Sequence, residues 1–153
     1  MPLTANVKSD YITTLLNGTI VSLKNIVPIN HTIGKPQLSQ KSLQIQFGVL
    51  IGITGDVKGK LVLSAEKPLF GAIGEAMFGM PLQDEMLVSF SGELGNMLAG
   101  GLSTIIVEKG ITTDITAPTI MDGNTMLSGY ERSLVLPVTF ESIGELKLYL
   151  LLD

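Results

Sequence analysis

The sequence predicts an α+β fold, a mainly antiparallel sheet with a long central helix and two further helices packed on one face. The first observation behind this is apolar spacing of three and four in residues 4–25, in a short segment after residue 64 and, at greatest length, in 83–109. The second is a set of alternating or continuous apolar runs of strand length at 43–53, 57–64, 113–121, 133–140 and 145–152. The third is their order: helix, two or three strands, two helices, three strands, a segregation unlike the strict alternation of parallel-sheet units. At 153 residues the chain fits one domain over 1–153.

Each element has its own signals. Val7, Tyr11, Leu15, Ile20 and Leu23 recur at helical spacing in 4–25, with Thr4 as N-cap and Pro28 closing the helix. Residues 29–40 read as a connecting loop broken by Gly34 and Pro36, with room for a short strand. The run 43–53 alternates and then turns continuously apolar, as a strand does on passing from a half-exposed to a buried setting. It pairs with 57–64 as a hairpin, Gly55 and Gly59 supplying the positive φ or bulge of the connection. A second helix begins at Ser64 or Ala65, carries Pro68 in its first turn and Phe70, Ile73 and Met77 on one face, and stops at Gly79. In 83–109, Leu87, Phe90, Leu94, Leu98, Leu102 and Ile105 form the apolar face of the long central helix, which Gly110 ends. Strands at 113–121, 133–140 and 145–152 follow, the last two joined by 141–144. The apolar run 148–152 is either a buried strand or an edge covered by another subunit.

Composition removes several function classes. With 45% hydrophobic and 16% charged residues the chain is globular, not disordered. It has no Cys, which excludes disulfides, thiolate metal sites and cysteine nucleophiles together. His31 is the sole histidine, so a Ser-His-Asp scheme or a multi-His metal site would have to be built on that one residue. A net charge of −4 opposes nucleic-acid binding, which needs clustered Lys and Arg. The longest uncharged stretches, 11–23 and 95–107, fall short of the ~20 apolar residues of a membrane span, so no membrane insertion is expected. No secretory signal precedes the first helix, and a cytoplasmic location is expected. The glycines around Asp56 and Lys58 stand too close for a phosphate-binding loop, and Leu61 takes the place of its Ser or Thr. Asp122, Gly123 and Asn124 are too few for a calcium loop and read as a turn.

The central helix carries the candidate site. Ser89, Glu93, Asn96 and Gly100 follow at steps of four, three and four, one stripe beside the apolar face. Glu and Asn at this spacing are common and, on their own, read as a solvated face with a weak side-chain hydrogen bond. The same segment holds Gly92, Gly95, Gly100 and Gly101, each costing about 1 kcal/mol against Ala in a helix interior. Small residues let another backbone approach, and spacing alone leaves open whether that is the protein's own or a partner's.

Ser89, Glu93 and Asn96, followed by Pro118 within the run Asp114, Ile115, Thr116, Ala117, Pro118, Thr119, resemble the signature of the CheC/CheX/FliY family of chemotaxis phosphatases, most like its CheX members. The stretch from Asn96 to Pro118 is one residue shorter than the family's. The Gly52 to Gly59 hairpin also looks like the family's turn. The resemblance implies a protein aspartyl-phosphate phosphatase acting on phospho-CheY or a CheY-like receiver of a two-component response regulator. It implies that Asn96 orients the attacking water and that Glu93 docks on the receiver's Lys. No cofactor of its own is implied, Mg²⁺ being held by the receiver, and a homodimer joined through the sheets is. Ser89, Gly92, Gly95, Ala99 and Gly100 become candidate partner-binding residues, Gly92, Gly95 and Ala99 keeping the surface low for the receiver's loops. Asp10, Thr14 and Asn17 repeat the spacing on the first helix, with Gly18 behind them, and look like a faded second copy without a carboxylate. The alternative is a catalytically silent receiver-binding or signalling adaptor of the same fold.

Overall fold

The structure is a computed structural model that describes the backbone of residues 3–153 and the side chains from Tyr11 onward; the side chains of Thr4, Val7 and Asp10 lie outside the described residues. Among the described residues the order is α1 (Leu3–Ile26), β1 (His31–Ile33), β2 (Gln37–Leu38), β3 (Leu43–Gly55), β4 (Gly59–Ser64), α2 (Lys67–Phe78), α3 (Asp84–Val107), β5 (Thr113–Ile115), β6 (Thr119–Leu127), β7 (Arg132–Phe140) and β8 (Gly144–Leu152). The strands make one eight-stranded sheet in the order β1, β7, β8, β4, β3, β5, with β2 added to β7 and β6 to β3. Every pairing is antiparallel.

All three helices pack on one face of the sheet. Leu15 and Leu23 of α1, Phe70 and Ile73 of α2, and Leu94, Leu98, Leu102 and Ile106 of α3 share a core with Val49, Ile51, Leu61, Leu148 and Leu150 of the sheet. A smaller apolar cluster, Leu43, Ile45, Val62, Met121, Tyr149 and Leu151, occupies the opposite face. β8 lies between β4 and β7, so the run 148–152 is an interior buried strand and not an edge.

Residues 29–40 do hold short strands, two of them, and Pro137 explains why they are two. Proline gives a ladder no N–H. Opposite it the edge breaks between β1 and β2, Gly34 lies against the proline ring, and the Gly34 N–H donates to the Pro137 carbonyl at 2.8 Å.

The structure corrects the reading elsewhere. Helix α2 begins at Lys67, because Ser64 is still in the ladder opposite Gly48 and Lys147. The expected strand 113–121 is two strands. At Thr116 the chain leaves the β3 ladder: its N–H donates to the Gly52 carbonyl at 2.9 Å and its Oγ1 accepts from the Gly52 N–H at 2.8 Å. Pro118 then prevents continuation until β6 starts at Thr119. Asp122, Gly123 and Asn124 are no turn but the middle of β6, where Gly123 takes φ +119° and the register against β3 shifts between Ile45 and Phe47. Across that shift Leu43 and Ile45 join the second cluster while Phe47, Val49, Ile51 and Ile53 join the main core. Gly48 makes room for this, since a Cβ there would lie 2.9 Å from Ile45 Cγ2.

Candidate functional site on the central helix

Helix α3 is laid into the sheet by its small residues. A Cβ on Gly95 would lie 2.7 Å from Ile51 Cδ1 and 2.8 Å from Val49 Cγ1, so the helix axis rides directly on β3. Gly92 faces Ile120 and Pro118, at 3.3 and 3.7 Å from where its Cβ would stand. The Thr116 clamp on Gly52 thereby fixes the segment against which the start of α3 rests. On the opposite flank α1 approaches: a Cβ on Gly18 would lie 2.7 Å from Leu102 Cδ1, Gly101 faces Ser22, and the Ser22 hydroxyl donates to the Leu98 carbonyl at 2.9 Å. With its lower face on β3, α3 has only one side left for solvent.

That side carries the predicted stripe. Ser89 and Glu93 are exposed, and Asn96 and Gly100 are half-buried. Among the described residues the Glu93 carboxylate and the Asn96 amide make no hydrogen bond or ion pair. A carboxylate and an amide therefore stand one helical turn apart, held in place by the backbone and not committed to each other.

The small residues expected to keep the surface low for a partner are Gly92, Gly95 and Ala99. All three are buried, Ala99 at 1% exposure within the main core, while Gly95 faces Val49 and Ile51 of β3 and Gly92 faces Pro118 and Ile120 of β6. Gly101 likewise serves α1. Of the small residues only Gly100 has open space, with Ile115 Cδ1 4.0 Å from its missing Cβ.

On helix α1, Thr14 is half-buried and Asn17 exposed, while Gly18 behind them is spent on α3. His31 sits in β1 at the sheet edge opposite β5 and β6, its Nδ1 2.8 Å from the Ile29 carbonyl and its ring 5.3 Å from that of Phe140. Among the described residues no cluster of three or more His, Asp or Glu is placed to hold a metal ion, and no helix is long and apolar enough to cross a membrane.

Sequence reasoning missed a groove beside the stripe. Phe78, Met80, Leu82, Met86 and Phe90 line a cavity of 750 Å³ whose polar wall is Glu85, Ser89 and Glu93. Phe78 and Phe90 meet edge to face at 5.7 Å. The available signal was two large apolar residues straddling the helix stop at Gly79, with Met86 three residues before Ser89 on the same stripe.

Residues 47–139 match the protein family described as chemotaxis phosphatase CheX. The CheY-P phosphatase CheX of Thermotoga maritima is 30% identical over 141 residues, covering 89% of this chain and 91% of that protein. A CheC-like superfamily protein from a Shewanella species superposes with a TM-score of 0.78 at 25% identity, over 94% of this chain and 97% of its own. A chain of the CheX-CheY-BeF3-Mg²⁺ complex from Borrelia burgdorferi also gives 0.78, at 22% identity and with the same coverages.

Proposed function

This chain belongs to the CheX family of chemotaxis phosphatases, and from that membership we propose that it dephosphorylates a CheY-like receiver, with Asn96 orienting the attacking water and Glu93 docking on the receiver's Lys. The observation that carries the proposal is the exposed stripe of α3, where an uncommitted carboxylate and amide stand one turn apart on a helix fixed to the sheet. The Thermotoga relative supports the activity by its name, and the Borrelia structure, solved with CheY, BeF3 and Mg²⁺, supports the partner.

An aspartyl phosphate is already activated, and its receiver brings the Mg²⁺ and the Lys that neutralise the phosphoryl oxygens. What it lacks is a water held in line with the phosphorus. A neutral amide suits that task, because its carbonyl accepts one hydrogen bond from the water while its NH₂ group donates another to the partner. Glu93, one turn earlier, would pair with the receiver's Lys and set the depth at which Asn96 enters. Positioning worth about 3 kcal/mol accelerates the reaction roughly 100-fold. The contact surface in this reading is Ser89, Glu93, Asn96 and Gly100, the buried Gly92, Gly95 and Ala99 acting only by setting the helix.

Homodimerisation belongs to the same reading: β1 with β2, and β5 with β6, form the two edges through which a second sheet would join. Sedimentation at micromolar concentration tests it, a monomer excluding it.

The test of activity is the decay of a phosphorylated receiver with and without the protein. Acceleration supports the phosphatase. Binding without acceleration contradicts it and leaves a receiver-binding adaptor.

A further inference from the structure

We infer that the apolar groove between the end of α2 and the start of α3 is a second contact for the receiver, seating an apolar surface element ringed by basic residues and setting affinity rather than turnover. The inference rests on the receiver reading of α3 and deepens it.

The groove belongs to the same surface as the proposed site. Met86, Ser89, Glu93 and Asn96 follow at steps of three, four and three, so one stripe runs from the groove to the amide. Ten residues of helix rise about 15 Å. A standard protein interface covers about 800 Å² per partner, a patch roughly 16 Å in radius. A body that receives Asn96 at its centre therefore reaches Met86.

The chemistry of the groove is that of an interface. Phe78 is 60% exposed, Met80 52% and Met86 57%, gathered within a few residues on either side of the α2 to α3 connection. Leu82 and Phe90 form its buried floor, and Phe78 is held edge-on to Phe90. Methionines suit a contact that must adapt to a partner's shape. The walls carry the carboxylates of Glu85 and Glu93, which select a partner element flanked by Lys or Arg. In the other direction along α3 the stripe offers Gly100 and exposed Thr104, with no comparable apolar cluster before Val107.

The test uses a CheY-like receiver in two states, phosphorylated for turnover and loaded with beryllofluoride and Mg²⁺ for equilibrium binding. The variant Met80→Gln/Met86→Gln replaces two exposed side chains and keeps helix propensity at Met86. It is expected to raise KM and Kd about tenfold or more, from the apolar area no longer buried, while kcat stays within about a factor of two of wild type. Val107→Gln, at a site 49% exposed at the far end of α3, is expected to change neither. A double variant that folds as the wild type and keeps its KM and Kd overturns the groove. Wild type that binds without turnover, with binding weakened in the double variant, refutes the phosphatase reading and supports the groove. A wild type that binds no receiver overturns both.

Discussion

Replacing Gly95 with Ala tests whether the small residues of α3 serve the protein's own packing. In an open helix interior the change would stabilise by about 1 kcal/mol. Here the new methyl group would meet Ile51 Cδ1 at 2.7 Å and Val49 Cγ1 at 2.8 Å. Both neighbours are fully buried, and the β-branched Val49 has little rotamer freedom to yield. Overpacking of this kind costs about 1–3 kcal/mol, set against the propensity gain of about 1 kcal/mol. Gly95→Ala is therefore expected to forfeit that gain and to destabilise by up to about 2 kcal/mol, lowering Tm by up to roughly 8 °C for a chain of this size. Gly100→Ala is the control, its methyl group meeting nothing nearer than Ile115 Cδ1 at 4.0 Å, and is expected to stabilise by up to about 1 kcal/mol. Urea and thermal melts of the two variants against wild type decide the matter. Equal stabilisation by both substitutions would refute the packing argument and return Gly95 to a surface role.

Other perturbations follow from single contacts. Thr116→Val keeps the shape but removes the acceptor of the Gly52 N–H. It is expected to cost about 1 kcal/mol by urea denaturation, toward the lower end for a group near solvent. Glu93→Gln, at an exposed position, should leave Tm unchanged and lower kcat/KM on a phosphorylated receiver roughly 10- to 100-fold, the worth of a charged hydrogen bond. Tyr149 has its pKa raised above 10.0, first by burial and then by Glu145 and Tyr130. The unfolded chain thus loses that proton at lower pH than the folded one, so the contribution is fully present below about pH 10 and is lost as pH rises through the raised value. Tyr149→Phe should flatten the fall in stability measured above pH 10, and an unchanged slope there would refute the assignment.

Much of the fold was legible because it is written in local spacing. The steps of three and four from Leu87 to Leu102, Pro68 and Gly79 bracketing α2, and the change from alternation to continuity in β3 each follow from which faces are buried. The errors lie where distant groups decide. The break between β5 and β6 joins the local Pro118 to the clamp of Thr116 on Gly52, far back in the sequence, and the shift at Gln46 depends on a register that no single strand contains. Residues 122–124 have the composition of a turn but are held in the ladder by β3. The candidate site was legible as a stripe, because periodicity fixes which side chains share a helix face. Periodicity does not say which way that face points. Gly92 and Gly95 turned inward on β6 and β3 and Ala99 is buried, while Phe78, Met80 and Met86, which composition would place inside, stand at the surface.

The measurement nearest the central claim is the turnover of a phosphorylated CheY-like receiver by Asn96→Ala, read beside its affinity for the beryllofluoride-loaded receiver. The water-positioning account predicts that acceleration falls about 100-fold, the loss of roughly 3 kcal/mol of transition-state positioning, while Kd changes by no more than a few-fold. Retention of the wild-type rate by Asn96→Ala would contradict it.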